Sequence, residues 1–294
     1  MTSGAGRVLG GRYTLLTPIA QGGMGEVWKA RDRVSGHIVA AKVLRPELAG
    51  EELSLSRLRL EARNSMSISH PNIANTQDSG EEDGIGWIIM ELVDGYPLTD
   101  YLRGGSRIEP EYLMPILVQV AMALGAAARA GVVHRDIKPA NILFTTYRRP
   151  VLSDFGISAM SGPEGSEELR GMSVPWAPPE QLVGMRSANP ASDIYSLGAT
   201  TFAMLTGRSP FETDGLPDVY ELSRRIVKDP LPPLGRQDAP PSLHRVLSVA
   251  MDKNPGSRYP TALAFARALQ QVQAELDLPI TTVDLFQEPD KAAK

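Results

Sequence analysis

Residues 111–131, EYLMPILVQVAMALGAAARAG, constrain the fold more than any other stretch. Nearly every position is apolar, so a helix here has no face to offer to water and must be surrounded by protein. The chain has 294 residues, enough for one large domain or two lobes. Upstream the pattern has a different period. RYTLLTPIA, EVWKARD and HIVAAKVL are short β-friendly runs separated by turn signals at Gly22-Gly23 and Ser35-Gly36. IANTQDSG and GIGWIIMELV read as two more strands around Asp83-Gly84. Between them ELSLSRLRLEARNSMSI, from Glu52, carries leucines without turn formers and reads as a single helix. From Pro97 onward the signal is helical, with further helices expected near 192–206, 218–228, 242–252 and 261–276. Residues 157–179 lack periodicity and read as a long loop. A strand-rich part followed by a helical part predicts an α+β arrangement in two lobes. The expected boundaries are an N-terminal extension at 1–10, a small lobe at 11–95, a large lobe at 96–276 and a tail at 277–294.

Composition removes several classes of function. The net charge is −4 and the pI about 5.7, whereas nucleic-acid binding calls for a basic footprint. Cysteine is absent, so disulfides, zinc–thiolate sites and thiol catalysis are impossible. No uninterrupted apolar run of roughly 18 residues marks a membrane span. MTSGAGRVLG lacks the apolar centre of a signal peptide. A cytoplasmic location is expected, either free or as the soluble part of a longer membrane-anchored protein.

Four local patterns carry chemistry. In AQGGMGEVWKA the glycines Gly22, Gly23 and Gly25 sit between two strands, where backbone N–H groups can approach a phosphate; a plain hairpin is the competing reading. Lys42 lies inside the apolar run VAAKVL. It either faces solvent or, if buried, needs an anionic partner, and Glu61 on the following helix supplies one. HRDIKPAN places Asp136, Lys138 and Asn141 together, and SDFG adds Asp154 shortly downstream. Asn141 and Asp154 offer hard oxygen ligands of the kind Mg2+ takes alongside substrate phosphates. Asp136 is left to orient a hydroxyl and accept its proton, and Lys138 to offset charge on a transferred group. Each carboxylate alone reads as a turn or cap residue; the set together points to a metal-bound phosphate.

The ordered series GGMGEV, VAAK, Glu61, HRDIKPAN, DFG, PPE, DIYSLG and KNPGSR resembles the bacterial serine/threonine branch of the protein kinases over nearly the whole chain. The resemblance implies a two-lobed kinase fold, a small antiparallel sheet with one helix above a larger helical lobe. It implies ATP and Mg2+ as cofactors, with Mn2+ as an alternative, and protein serine/threonine hydroxyls as acceptors in bacterial signalling, with autophosphorylation. Carried over residue by residue, Gly22 and Gly25 cover the phosphates, and Lys42, oriented by Glu61, holds the α- and β-phosphates. Asp136 is the base and Lys138 neutralises the γ-phosphoryl group, while Asn141 and Asp154 hold the metal. Adenine lies among Ile19, Val27, Ala40 and Leu143, with Met90 behind it and the backbone of Glu91 and Val93 at its edge. Asp193 braces the catalytic loop, and Glu180 and Arg258 form a buried ion pair. The resemblance also admits a homodimer.

The chain departs from the pattern in places. Ala20 stands where the first glycine of the phosphate loop belongs, PPE replaces APE, and Met172-Ser173 replaces a Gly-Thr pair. Ser173 is expected to keep the hydroxyl role beside Asp136. The loop offers Ser158, Ser161, Ser166 and Ser173 for phosphorylation, and Glu167 and Glu168 as acidic substitutes facing Arg135; a solvated acidic loop is the competing reading. Thr281 and Thr282 in the tail are further candidate sites. Two alternatives oppose a protein kinase: a catalytically weak, nucleotide-binding scaffold and a small-molecule kinase of the same fold.

Overall fold

The computed structural model describes residues 4–22, 25–155, 173–184, 189–212 and 218–283. Alternation along the strands builds the small lobe. β1 (Val8–Leu9), β2 (Tyr13–Gln21), β3 (Gly25–Asp32), β4 (Ile38–Leu44), β5 (Thr76–Glu82) and β6 (Ile85–Glu91) form one antiparallel sheet in the order β1-β2-β3-β4-β6-β5. Val39, Ala41 and Val43 turn to one face, where they join Tyr13, Trp28 and Trp87 in a buried cluster. With a side-chain period of two, Lys42 and Leu44 turn to the other face. There α1 (Glu52–Met66) lays Leu55, Leu58 and Ala62 on Leu44 and Ile88. Gly86 permits that approach, since a Cβ on it would stand 2.5 Å from Leu58 Cδ2. The solvent-face reading of Lys42 therefore fails: the helix covers its side of the sheet.

Two differences from expectation lie at the ends. Leu9, assigned to an N-terminal extension, pairs with Tyr13 in β1 and is fully buried in the small-lobe core. A two-residue strand is too short to show any period. The start of the tail is also packed. Beyond α8 (Ala262–Glu275), Gln270 Nε2 donates to the Thr281 carbonyl at 2.7 Å, and Gln273 Nε2 donates to Thr281 Oγ1 at 2.8 Å. Thr281 is thus engaged, whereas Thr282 is exposed.

The large lobe surrounds α3 (Pro110–Arg129), as its all-round apolarity requires. By length and composition α3 is able to cross a membrane, but here it is largely buried against α5 (Pro190–Thr206) and α8. Leu113, Leu117 and Val120 are wholly or almost wholly inaccessible, each contributing about 1.5–3 kcal/mol of hydrophobic burial. α4 (Pro179–Leu182), α6 (Val219–Lys228) and α7 (Pro241–Ala250) complete the lobe beside short α2 (Thr99–Leu102). Sequence patterning misses a second sheet, β7 (Gly95–Pro97), β8 (Ile142–Thr145) and β9 (Pro150–Leu152). Its strands of three or four residues fall below the length at which alternation is legible. That sheet positions the site, because HRDIKPAN runs into β8 and SDFG leaves β9.

Candidate active site

Lys42 joins the two lobes. Its Nζ lies 2.5 Å from Glu61 Oε1 on α1 and 3.3 Å from Asp154 Oδ1 after β9. Burial disfavours the Lys42 ammonium, but the two carboxylates outweigh it and the pKa moves up. Burial dominates at Glu61 and pushes its carboxyl up despite Lys42. At Asp154 burial acts upward as well, but Lys42 overcomes it and holds the carboxyl below its ordinary value. Asp154 is therefore an anion at neutral pH, and 34% of its side chain is accessible, as a cation ligand needs.

The catalytic loop is held by its backbone. Asp193 on α5 accepts the N–H of His134 and of Arg135, both at 2.8 Å. These bonds support Arg135 in the left-handed region at φ 67°, a strain on the order of 1–3 kcal/mol. Burial pushes the Asp193 carboxyl up, against the pull of those two amides. His134 is fully buried; its Nε2 lies 2.9 Å from the Ser153 carbonyl, and Nδ1 accepts the Asp136 N–H at 3.3 Å. The ring thus donates through Nε2 and ties the loop to the segment bearing Asp154. Sequence reasoning did not assign His134 this part, although VVHRDI places it among apolar residues.

Asp136 Oδ2 accepts from Lys138 Nζ at 2.7 Å and from Asn141 Nδ2 at 3.1 Å. Asn141 Nδ2 also donates to the Asp136 carbonyl at 2.8 Å. The amide nitrogen is thereby occupied and the amide oxygen is the donor atom left for a metal. One neutral and one ionised oxygen, from Asn141 and Asp154, suit a hard divalent cation that keeps further oxygens from substrate or water.

Lys138 Nζ donates to Ser173 Oγ at 2.7 Å, so Ser173 occupies the position expected of it. Hydrogen bonds to charged groups contribute about 1.5–3 kcal/mol. Ser173→Ala is expected to lower kcat about 10-fold and Ser173→Thr to retain it; equal kcat in the alanine and threonine variants would remove Ser173 from the site. The sites proposed at Ser158, Ser161, Ser166, Glu167 and Glu168 lie outside the described residues.

The nucleotide side is framed more loosely. Ala40 is buried, Val27 and Leu143 are partly buried, and Ile19 is 51% accessible. Met90 pairs with Ala40 in register and packs against the α1 cluster, behind the place assigned to adenine. The Glu91 N–H is engaged by the Asn75 carbonyl at 2.8 Å, so its carbonyl is the group it can present to a base. Val93 is partly buried in the segment between β6 and β7. Two glycine-turn expectations change. The Gly22 N–H closes the turn on the Gly25 carbonyl at 2.8 Å, so in this conformation it is not aimed at a phosphate. Gly25 is required by packing: a Cβ there would come within 2.5 Å of the Val43 carbonyl. Ala20 sits in β2 opposite Val27, exposed and without conflict.

The Glu180–Arg258 pair forms bidentately, with both N···O distances 2.7 Å. Arg258 is inaccessible, stacks over Tyr195 at 4.9 Å and also donates to the carbonyls of Ala191 and Asp252. Burial raises the Glu180 carboxyl, but Arg258 outweighs it and the net shift is downward.

Known proteins resemble this chain in sequence and fold. The model of the protein kinase domain family matches residues 13–270. Serine/threonine-protein kinase PknA of Mycobacterium tuberculosis is 37% identical over 281 residues, 93% of this chain and 64% of the relative. PrkC of Bacillus subtilis is 35% identical over 87% of this chain and 40% of its own length. The chain thus spans less than two thirds of the length of these curated relatives. The crystal structure of the Mycobacterium tuberculosis PknI kinase domain superposes with a TM-score of 0.69 at 27% identity, covering 91% of this chain and 98% of that one. With the two lobes, the bridging lysine and the braced catalytic loop already in place, this match over 13–270 makes the chain a member of the protein kinase family.

Proposed function

We propose that this chain transfers the γ-phosphoryl group of ATP to serine and threonine hydroxyls of proteins, itself included. The observation that carries the proposal is Lys42 bound at once to Glu61 and Asp154, which sets a cation from the small lobe against a carboxylate from the large one. The family uses ATP and Mg2+. Mg2+, when bound, would offset phosphate charge, and Asn141 and Asp154 are the residues that would hold it.

The protein's own groups do the rest. Lys42 holds the α- and β-phosphates from above. With Oδ2 occupied by Lys138 and Asn141, Asp136 presents Oδ1 to the acceptor hydroxyl and takes its proton as the oxygen bonds to the γ-phosphorus. The bond to the β-phosphate oxygen breaks in line, and ADP leaves. Lys138, held by Ser173, offsets charge on the phosphoryl group in flight. Catalysis is therefore mostly positioning and electrostatics.

Incubation with ATP and Mg2+ followed by mass spectrometry tests this reading. Phosphoserine and phosphothreonine on the chain and on added protein are expected, with Thr282 modified ahead of Thr281, whose hydroxyl is held by Gln273. Nucleotide binding with no transfer would favour the scaffold alternative instead, and phosphorylation of small alcohols alone would favour the small-molecule kinase.

A further inference from the structure

β4 ends at Leu44, whose partner in register is Gly25. The next residue, Arg45, therefore stands just past the last pair of the sheet, level with the turn that joins β2 to β3. Three steps of strand separate it from Lys42, about 10 Å of backbone. Pro46 follows, and a residue before proline is driven to extended backbone; Arg45 has φ −64° and ψ 144°. Its carbonyl accepts the Leu48 N–H at 3.0 Å. The point from which the side chain departs is thus preset by its neighbours in sequence.

From there the guanidinium reaches the turn. Arg45 Nη2 donates to the Gly22 carbonyl at 2.6 Å. Arg45 is partly buried, and its Nε is shielded from solvent with no hydrogen-bond partner among the described residues. The stem is packed against protein, unlike that of a freely moving surface arginine. A shielded donor without an acceptor is a cost to the fold, and such groups call for an explanation in function.

Gly22 is held at both of its backbone groups. Its N–H bonds the Gly25 carbonyl at 2.8 Å, and its carbonyl is taken by Arg45. Gly25 is anchored by its register with Leu44; Arg45 anchors the opposite end of the turn. Glycine loses more backbone freedom on ordering than any other residue. Order supplied by the protein beforehand is order that a ligand does not have to impose. The bond also occupies a carbonyl oxygen that, left free beside phosphates, would repel them.

We propose that Arg45 is a positioning residue of the nucleotide site, which holds the Gly22 carbonyl and so keeps the glycine turn ordered over the phosphates of ATP. The inference rests on the protein-kinase reading above. Arg45 acts on the turn and not on the adenine pocket, so its effect falls on ligands that carry phosphates.

Isothermal titration calorimetry of the full chain with ATP, ADP and adenosine, each with Mg2+, tests it. Arg45→Ala is expected to bind ATP and ADP about 5-fold more weakly than wild type and adenosine equally well. Arg45→Lys, which keeps a donor on a long stem, is expected to recover most of the loss. The loss is expected to be the same at low and high salt, because the bond removed ends on a neutral carbonyl and not on a phosphate. Unchanged ATP affinity in Arg45→Ala, an equal loss for adenosine, or a loss that disappears at high salt would overturn the proposal. If Arg45→Ala is unfolded by circular dichroism, Arg45→Gln, too short to reach the turn, carries the same expectation. The two readings fail separately. A chain whose ATP affinity depends on Arg45 but that transfers no phosphate refutes the kinase reading alone. One that phosphorylates proteins with an ATP affinity indifferent to Arg45 refutes the positioning role alone.

Discussion

Replacement of Lys42 by methionine is expected to lower kcat by on the order of 10²–10³, the loss that follows removal of one preorganised electrostatic group from an active site. The fold should register the same change. Glu61 is 3% accessible along its side chain, and its Oε2 has no hydrogen-bond partner, so Lys42 is what keeps the carboxylate ionised. Removal of one member of a buried pair costs about 3–5 kcal/mol when the other stays charged. Burial already pushes the Glu61 carboxyl up, so in Lys42→Met it takes up a proton and part of that cost is relieved. An acid with a raised folded-state pKa destabilises the protein above that pKa, and the penalty fades as pH falls through it. Lys42→Met should accordingly be least stable, relative to wild type, at high pH. The double variant Lys42→Met/Glu61→Gln should regain stability and remain inactive. Single-turnover kinetics and urea unfolding at several pH values measure both effects. A Lys42→Met protein with wild-type turnover would dismiss the lysine from the chemistry, and a double variant no more stable than the single would dismiss the buried-charge account.

Arg258→Ala is expected to destabilise the large lobe by about 3–5 kcal/mol at neutral pH. The alanine leaves the buried Glu180 carboxylate with the Ser192 hydroxyl, which donates at 2.8 Å, and a backbone N–H, and it removes the guanidinium's bonds to the Ala191 and Asp252 carbonyls. The pH dependence follows from the lowered Glu180 pKa. A carboxylate whose folded pKa is depressed contributes stability that is present above its unfolded pKa and lost as pH falls through the folded value. Wild type should therefore lose stability below about pH 4.3, the ordinary glutamate value. The variant, whose unpaired Glu180 gains from protonation, should lose less, so the gap between the two proteins narrows with acid. Arg258→Lys should recover little, since an ammonium cannot replace a planar fork making two parallel bonds. Denaturant unfolding across pH 3–8 reads this out, and a gap of constant size would mean that the loss comes from packing over Tyr195 instead of from charge.

Legibility of the fold followed element length. β2, β3, β4, α1 and the long helices α3, α5 and α8 were readable because each repeats its period several times. β1 and the sheet β7-β8-β9 were not, since two to four residues hold no period. Among the site residues, Lys42, Glu61, Asp136, Asn141 and Asp154 were nameable because chemistry restricts residue type at each. The connecting work of His134, and the engagement of the Gly22 N–H within its own turn, were invisible: both depend on what folds against them.

The amino-acid sequence alone determined which groups are present and on which elements they ride, because residue type and local period are written in neighbouring positions. Tertiary structure alone decided which face of β4 is covered, and so whether Lys42 meets water or Glu61. It alone brought Ser173 to Lys138 across 35 residues and Lys42 to Asp154 across 112. Separations of that size leave no periodic trace; such pairs are set by the packing of strands and helices whose own periods were the legible part.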